Sequence, residues 1–154
     1  GIVDFAIVTT PIEKDSALHE LKVKEFREVA ICGEVLKSKL GSASLTIKDL
    51  TQYPIISFEK GRSTHTFYTE LFAKHGVYFF PDIEAATADQ IIPIVKHNLG
   101  IGSIPEQFLY DEPNGIYKLN LKDQSPTREI CVLTRKGHSP TLAARELEKM
   151  MLEK

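Results

Sequence analysis

The chain has 154 residues, of which 42% are hydrophobic and 26% are charged, and its formal net charge is −2 at pH 7. This length and composition exclude a small disulfide scaffold and are typical of one globular domain or of two small lobes. The charge gives no basic surface for nucleic acid, and no apolar run approaches the roughly 20 residues of a membrane helix.

The cysteines and the first residues bear on localisation. Cys32 and Cys131, the two cysteines of the sequence, each lie in an apolar, strand-like run, where cysteine usually behaves as a small buried hydrophobic residue. The opening GIVDFAIV lacks the basic, apolar and small-residue regions of a signal peptide. We therefore expect reduced thiols and a cytoplasmic protein. The abrupt start in a strand suggests a fragment of a longer chain.

Three strands are predicted in the first part of the chain. Residues 2–8 form a nearly continuous apolar run, which is typical of a strand covered on both faces. Residues 24–32 alternate and then become apolar, and PIISF at 54–58 gives a compact third strand. Between the last two, the pattern predicts a loop with one helical turn at 47–50.

Two helices are predicted next. One contains Phe67 and ends near Gly76, since glycine suits the left-handed geometry of a helix C-terminus. The other begins at Thr87, which forms a capping-box pattern with Gln90, and ends at Asn98, where asparagine tolerates a positive φ.

The remaining elements are strands and a last helix. Gly102 lies inside a short strand, where a missing side chain serves either tight packing against a helix or a wall beside a ligand. Alternating strands follow at 116–121 and 127–135, and Ser139 and Pro140 predict the start of a C-terminal helix. Strands and helices interleave, so the pattern predicts an α/β fold with a mostly parallel sheet.

The most informative loop is GRSTHT at 61–66, between a strand and a helix. Arg62 and the positive end of the helix favour an anion, and Ser63 and Thr64 add hydroxyl groups. The alternative is that Ser63 or Thr64 only caps the helix, and the two roles are compatible.

A second hydroxyl pair follows the first strand. Thr9 and Thr10 stand at its carboxyl end, where open α/β sheets bind ligands. The sequence contains no nucleophile elbow, phosphate loop or dinucleotide fingerprint, and its histidines show no metal spacing. We therefore predict no cofactor, no metal and no catalytic residue.

Together these residues resemble the effector-binding domain of LysR-type transcriptional regulators. The landmarks are GIVDFAIVTTP, IKDLTQYPIIS and IEAATADQIIPIVKHNLGIGSIPEQF, followed by REICVLTRKGHSPTLAARELEKMML. The chain departs from the family at Asn98, where glycine is usual. Asparagine can hold the same left-handed geometry.

The resemblance implies a periplasmic-binding-protein-like (type 2) two-lobed α/β fold with an incomplete first lobe. Residues 1–11 and 110–154 would form part of lobe I, and residues 12–109 would form lobe II. The N-terminal winged helix-turn-helix that binds DNA would lie outside this chain. A small effector would bind between the lobes, and the matching contacts are Thr9, Thr10, Arg62, Ser63 and Thr64.

The expected function is therefore that of a ligand-sensing regulatory domain, not an enzyme. It would bind a small, anionic effector and transmit binding to DNA-binding domains by a shift in conformational population. The resemblance also implies a homodimer or homotetramer in the full-length protein and no membrane partner. The alternative is the solute-binding protein of a transporter, which shares the fold. An enzyme is the third class, but the sequence offers no nucleophile and base pair.

Overall fold

The computed structural model describes residues 3–109 and 115–153. The chain divides into two compact units, one formed by Gly1–Phe26 with Arg128–Lys154 and the other by Arg27–Thr127. We refer to them as unit 1 and unit 2.

The described part of the chain contains short strands and helices in alternation. Its strands are β1 (Phe5–Thr9), β2 (Leu18–Phe26), β3 (Glu28–Gly33), β4 (Ser44–Leu45), β5 (Ile56–Phe58), β6 (Ile83–Ala85), β7 (Gly102–Pro105), β8 (Ile116–Lys118), β9 (Asn120–Leu121) and β10 (Arg128–Arg135). Its helices are α1 (Glu34–Leu40), α2 (Ile47–Leu50), α3 (Ser63–Lys74), α4 (Ala88–Lys96) and α5 (Leu142–Leu152), with a short 3-10 helix at Glu106–Leu109.

Unit 1 is a three-stranded antiparallel sheet in the order β1-β10-β2, with α5. The central strand β10 contributes the fully buried Cys131 and Val132, and α5 adds the buried Ala144. Helix α5 begins two residues later than predicted, because the Thr141 hydroxyl accepts a hydrogen bond from the Ala144 amide at 3.3 Å and makes Thr141 the N-cap residue.

The unit boundaries differ in position from those that the resemblance implied. Strand β2 falls within residues 12–109, yet it pairs with β10 from Arg128 to Arg135 and belongs to unit 1. Residues 110–127 were expected in lobe I, whereas unit 2 extends to Thr127. The assignment of the two units to the two lobes of the family stays a prediction.

Unit 2 is built around β3, the middle strand of the antiparallel sheet β7-β3-β8. Within residues 3–109 and 115–153, parallel pairing is limited to β4 with β9, β5 with β6, and an isolated bridge between Ile55 and Ile101. The expectation of a mostly parallel sheet was therefore wrong for the three-stranded sheets. Interleaved elements do not fix strand direction here, because the neighbours of β3 in space are not its neighbours in sequence.

Both faces of β3 are buried. Ala30 and Cys32 join one apolar cluster, which includes the buried side of α3, and Val29 and Ile31 join another, which includes Ile91 and Val95 of α4. A strand covered on both faces reads as a continuous apolar run, and VAIC has that composition. The strand therefore forms the centre of unit 2, with α3 on one side and α4 on the other.

The predicted start of α4 is correct in position but not in detail. Thr87 is the N-cap residue, but its side chain makes no capping hydrogen bond. Instead the Gln90 side chain accepts from the Ala86 amide at 2.9 Å. A complete capping box occurs at α2, between Thr46 and Asp49.

Asn98 and Gly102 explain the glycine-spaced segment after α4. Asn98 has a φ of 60°, as predicted, and its Oδ1 accepts a hydrogen bond from the Val35 amide at 2.9 Å in the first turn of α1. A Cβ on Gly102 would lie 2.7 Å from Ile91 Cγ2 and 2.8 Å from Val95 Cγ2. The missing side chain thus allows α4 to pack directly on β7, which supports the packing alternative at this position.

We predict that Gly102→Ala lowers the free energy of unfolding by about 1–3 kcal/mol, because the added methyl group must displace two fully packed side chains. Urea unfolding followed by circular dichroism measures the loss. Ser44→Ala, at an exposed strand position in the same unit, is the control and should change stability by less than about 0.5 kcal/mol. Equal stability of the two variants would contradict the packing explanation.

Candidate functional site

The predicted effector residues lie in two groups, one on each unit. Thr9 and Thr10 are at the end of β1 in unit 1, and Arg62, Ser63 and Thr64 are at the start of α3 in unit 2. The structure brings residues together within each group, and we describe each group by itself.

Thr9 and Thr10 are held by a buried arginine that the sequence pattern did not reveal. Arg128, the first residue of β10, is 1% exposed. Its Nε donates to the Thr10 carbonyl at 2.7 Å, and one terminal nitrogen donates to the Thr9 hydroxyl at 3.0 Å. The guanidinium lies 5.3 Å from the centre of the Phe26 ring. An arginine at a strand end usually extends into solvent, so no local signal marks this one as buried.

In the described contacts both threonine hydroxyl groups act as hydrogen-bond acceptors. The Thr9 hydroxyl accepts from Arg128, and the Thr10 hydroxyl accepts from the Glu129 amide at 2.9 Å. A hydroxyl group has one proton, which must then point toward another acceptor. The Thr10 hydroxyl therefore has a proton to donate, which suits a ligand that carries oxygen acceptors.

The second group surrounds the amino end of α3. Arg62 is the N-cap residue and is exposed, whereas Ser63 and Thr64 occupy the first two helical positions and are half-buried. Neither hydroxyl residue is thus the cap, contrary to the capping alternative. The first amide groups of a helix have no acceptor within it and carry a partial positive charge, so this end favours a negative group.

Thr64 also lines a cavity of about 40 Å³ inside unit 2. This volume has room for about three water molecules. Most of the wall is apolar and comes from β3, β5, α2 and α3. Its polar members, apart from Thr64, are Glu28, Ser57, Tyr68, Ser103 and Ser125.

None of these other polar residues was predicted to be functional. Glu28 follows the polar stretch KEFR, where alternation suggests an exposed side chain, and Tyr68 lies within the apolar side of α3. Only the fold shows that Glu28 and Tyr68 are 5% and 8% exposed.

A separate group of possible metal ligands lies in unit 1. Ligand atoms of Glu20, Glu129 and Cys131 lie within 4.8 Å of one another. However, Lys22 pairs with Glu129 at 2.6 Å, and the Cys131 thiol contacts Glu20 at 3.4 Å. Burial, and then the hydrogen bond to Glu20, raise the pKa of Cys131 from 9.0 to about 11. The sulfur therefore keeps its proton and is a poor ligand, and the absence of a metal stays a prediction.

Comparisons with known proteins agree with this fold. A family model described as LysR substrate binding domain matches residues 1–154. The regulatory domain of CcmR from Synechocystis PCC6803, in complex with 2-PG, is 20% identical with a TM-score of 0.82, over 97% of this chain and 72% of that one. The effector-binding domain of QuiR in complex with shikimate is 18% identical with a TM-score of 0.81, over 97% and 70% of the two chains.

A longer regulator is also similar. HinK, a LysR family transcriptional regulator from Pseudomonas aeruginosa, is 18% identical with a TM-score of 0.75, over 97% of this chain and 53% of that one. At these identities the likeness of solved structures shows the fold alone. A comparison with curated proteins gave no significant match.

The two units and their α/β composition have the periplasmic-binding-protein-like type 2 fold. The chain belongs to the LysR substrate-binding domain family. The predicted family, fold class and regulatory function are thus confirmed, and this function is favoured over the transporter alternative. The longest helix in the described ranges, α3 with 12 residues, is shorter than the roughly 20 residues that a bilayer requires.

We predict that Arg128→Lys lowers the free energy of unfolding by about 1–3 kcal/mol, because a single ammonium group cannot reproduce the forked contacts to Thr9 and Thr10. Urea unfolding measures the effect. Arg135→Lys makes the same change at the exposed end of β10 and should stay within about 0.5 kcal/mol of the unchanged protein. Equal losses in the two variants would contradict the role given to Arg128.

The raised pKa of Cys131 predicts a dependence of stability on pH. Because the folded protein holds this proton more tightly than the unfolded chain, the contribution is fully present below pH 9 and is lost as pH rises through 11. The stability difference between the unchanged protein and Cys131→Ala should therefore shrink by about 1–3 kcal/mol over this range. Urea midpoints at closely spaced pH values measure it, and a constant difference would contradict the assignment.

Proposed function

We propose that this domain senses a small anionic effector through Thr9, Thr10, Arg62, Ser63 and Thr64. The observation that carries the proposal is that Thr64 lies both in the first turn of α3 and in the wall of the cavity. A ligand that binds the positive end of the helix is thus next to an internal space that can receive part of it.

The electrostatics of both groups support an anion. Arg128 donates to the Thr9 hydroxyl, and Arg62 adds a positive charge at the start of α3. A helix N-terminus with hydroxyl groups is a common binding site for carboxylates and phosphates. The complexes of CcmR with 2-PG and of QuiR with shikimate are further support for a small molecule of this general kind.

The proposed mechanism is a shift between conformations. An effector that contacts the hydroxyl groups of both units stabilises one arrangement of the units over others, by at most its difference in binding free energy. DNA-binding domains outside this chain would respond through a homodimer or homotetramer in the cytoplasm. We propose no catalysis, since burial raises the pKa of both Cys32 and Cys131 and leaves no activated thiol nucleophile among the described residues.

We predict that at least one member of a panel of small carboxylates, phosphates and sulfate raises the temperature of thermal unfolding. Binding to the folded state alone stabilises it by about 2.7 kcal/mol at a hundredfold excess over the dissociation constant. The double variant Thr9→Ala with Ser63→Ala should abolish the rise, because it removes one hydroxyl group from each proposed contact group.

The control double variant is Thr69→Ala with Thr134→Ala, which removes one hydroxyl group from α3 and one from β10 at positions outside the proposed contacts. It should keep the full rise. The proposal would be wrong if no ligand of the panel raised the unfolding temperature, or if both double variants lost the rise equally.

A further inference from the structure

The wall of the cavity in unit 2 contains a buried hydroxyl group that is open to a guest. The Oγ of Ser125 is buried, and no hydrogen-bond partner for it lies within the described residues. By contrast, the Tyr68 hydroxyl in the same wall donates to Glu28, and both of these side chains take part in further interactions. A buried hydroxyl without a partner is unfavourable, so an acceptor atom inside the cavity would gain a hydrogen bond from Ser125.

The rest of the wall determines what kind of group can enter. Most of it is aliphatic or aromatic, and Ile47, Leu50, Ile101 and Phe72 are each at most 5% exposed. A charged group loses far more hydration than an uncharged group on entering such surroundings. The anionic end of a ligand therefore stays at the start of α3, and an uncharged end enters the cavity beside Thr64.

The size of the cavity limits that end to a few atoms. A volume of about 40 Å³ has room for about three water-sized groups. An acetyl group, which consists of two carbons and one oxygen, has this number of heavy atoms, whereas a ring has too many. Its methyl group suits the apolar wall, and its oxygen can accept from the Ser125 hydroxyl.

We propose that the effector is an oxo acid, whose uncharged ketone end enters the cavity and accepts a hydrogen bond from the Ser125 hydroxyl. This inference rests on the proposed function, because the carboxylate of the acid occupies the anion site at the start of α3. Ser125 then determines which of the small anions binds most tightly.

A hydroxyl group is the competing guest, because its oxygen can also accept from Ser125. It brings a proton as well, which needs an acceptor of its own inside the cavity. An oxo group needs only a donor, and Ser125 supplies it. A methyl group of the same size needs neither, but it leaves the Ser125 hydroxyl unpaired. The wall thus favours an oxo group over both.

The test measures the binding of matched acids to the unchanged chain by calorimetry. Levulinate, isocaproate and γ-hydroxyvalerate have equal numbers of heavy atoms and carry an oxo, a methyl or a hydroxyl group at the same carbon. A second series is one carbon longer, because chain length sets the distance from the carboxylate to the oxo group. In at least one series the oxo acid should bind more tightly than the hydroxy acid, and roughly tenfold more tightly than the methyl acid.

The variant Ser125→Ala connects this preference to the cavity. It should weaken binding of the oxo acid roughly tenfold and leave binding of the methyl acid unchanged, so that the preference disappears. The ligand-free chain should lose no stability, because the hydroxyl has no partner there within the described residues. Ser44→Ala, the same change at an exposed position of the same unit, should keep the full preference. A purely structural role of Ser125 would instead weaken the binding of both acids alike.

The outcomes separate this inference from the proposed function. Equal affinities of the oxo and methyl acids in both series would overturn the oxo acid and leave an anion sensor in place. Tighter binding of the hydroxy acids, or equal losses for both acids in Ser125→Ala, would also overturn it. If none of these acids binds while another small anion stabilises the chain, the inference fails alone. If no anion of any kind binds, the proposed function fails and this inference with it.

Discussion

The burial of β3 on both faces is the constraint on which unit 2 depends. Side chains of a strand alternate between its faces, so Glu28 shares a face with Ala30 and Cys32, the face that α3 covers. The carboxylate is therefore brought beneath α3 and beside Tyr68 by the same alternation that builds the core. One more or one fewer residue between the polar stretch and the apolar run would turn Glu28 toward the opposite face, and the cavity would have a wholly different wall.

Unit 1 also has a buried charged residue at the start of its central strand, but of the opposite sign. Arg128 is the first residue of β10, as Glu28 is the first residue of β3, and each is buried next to apolar neighbours. A buried charge is tolerated only when hydrogen bonds satisfy it. The acceptors of Arg128 include the Thr10 carbonyl and the Thr9 hydroxyl. The requirement to stabilise the charge thus orients the Thr9 hydroxyl, which is proposed to contact the effector.

The sequence predicts what local pattern determines and misses what distant contacts determine. The positive φ of Asn98 follows from residue type, and the spacing of the motifs identified the family. At Gly102 the residue type left packing and a ligand wall as alternatives, and the contacts of the fold favour packing. The pairing of β2 with β10 and the burial of Arg128 and Glu28 depend on partners far along the chain. A charged residue beside an apolar run has the same local appearance whether it is exposed or buried, so these side chains could not be recognised.

Selectivity in such a site comes from groups that the wrong ligand leaves unpaired. The amino end of α3 and the threonine hydroxyl groups can bind many small anions, because their contacts depend on charge and on simple oxygen acceptors. Rejection of an analogue is strong only where its entry buries a polar group without a partner. The Ser125 hydroxyl is such a group, since it lines the cavity and no hydrogen-bond partner for it lies within the described residues. We therefore expect the start of α3 to determine which class of ligand binds. The buried Ser125 hydroxyl would then discriminate among ligands of that class.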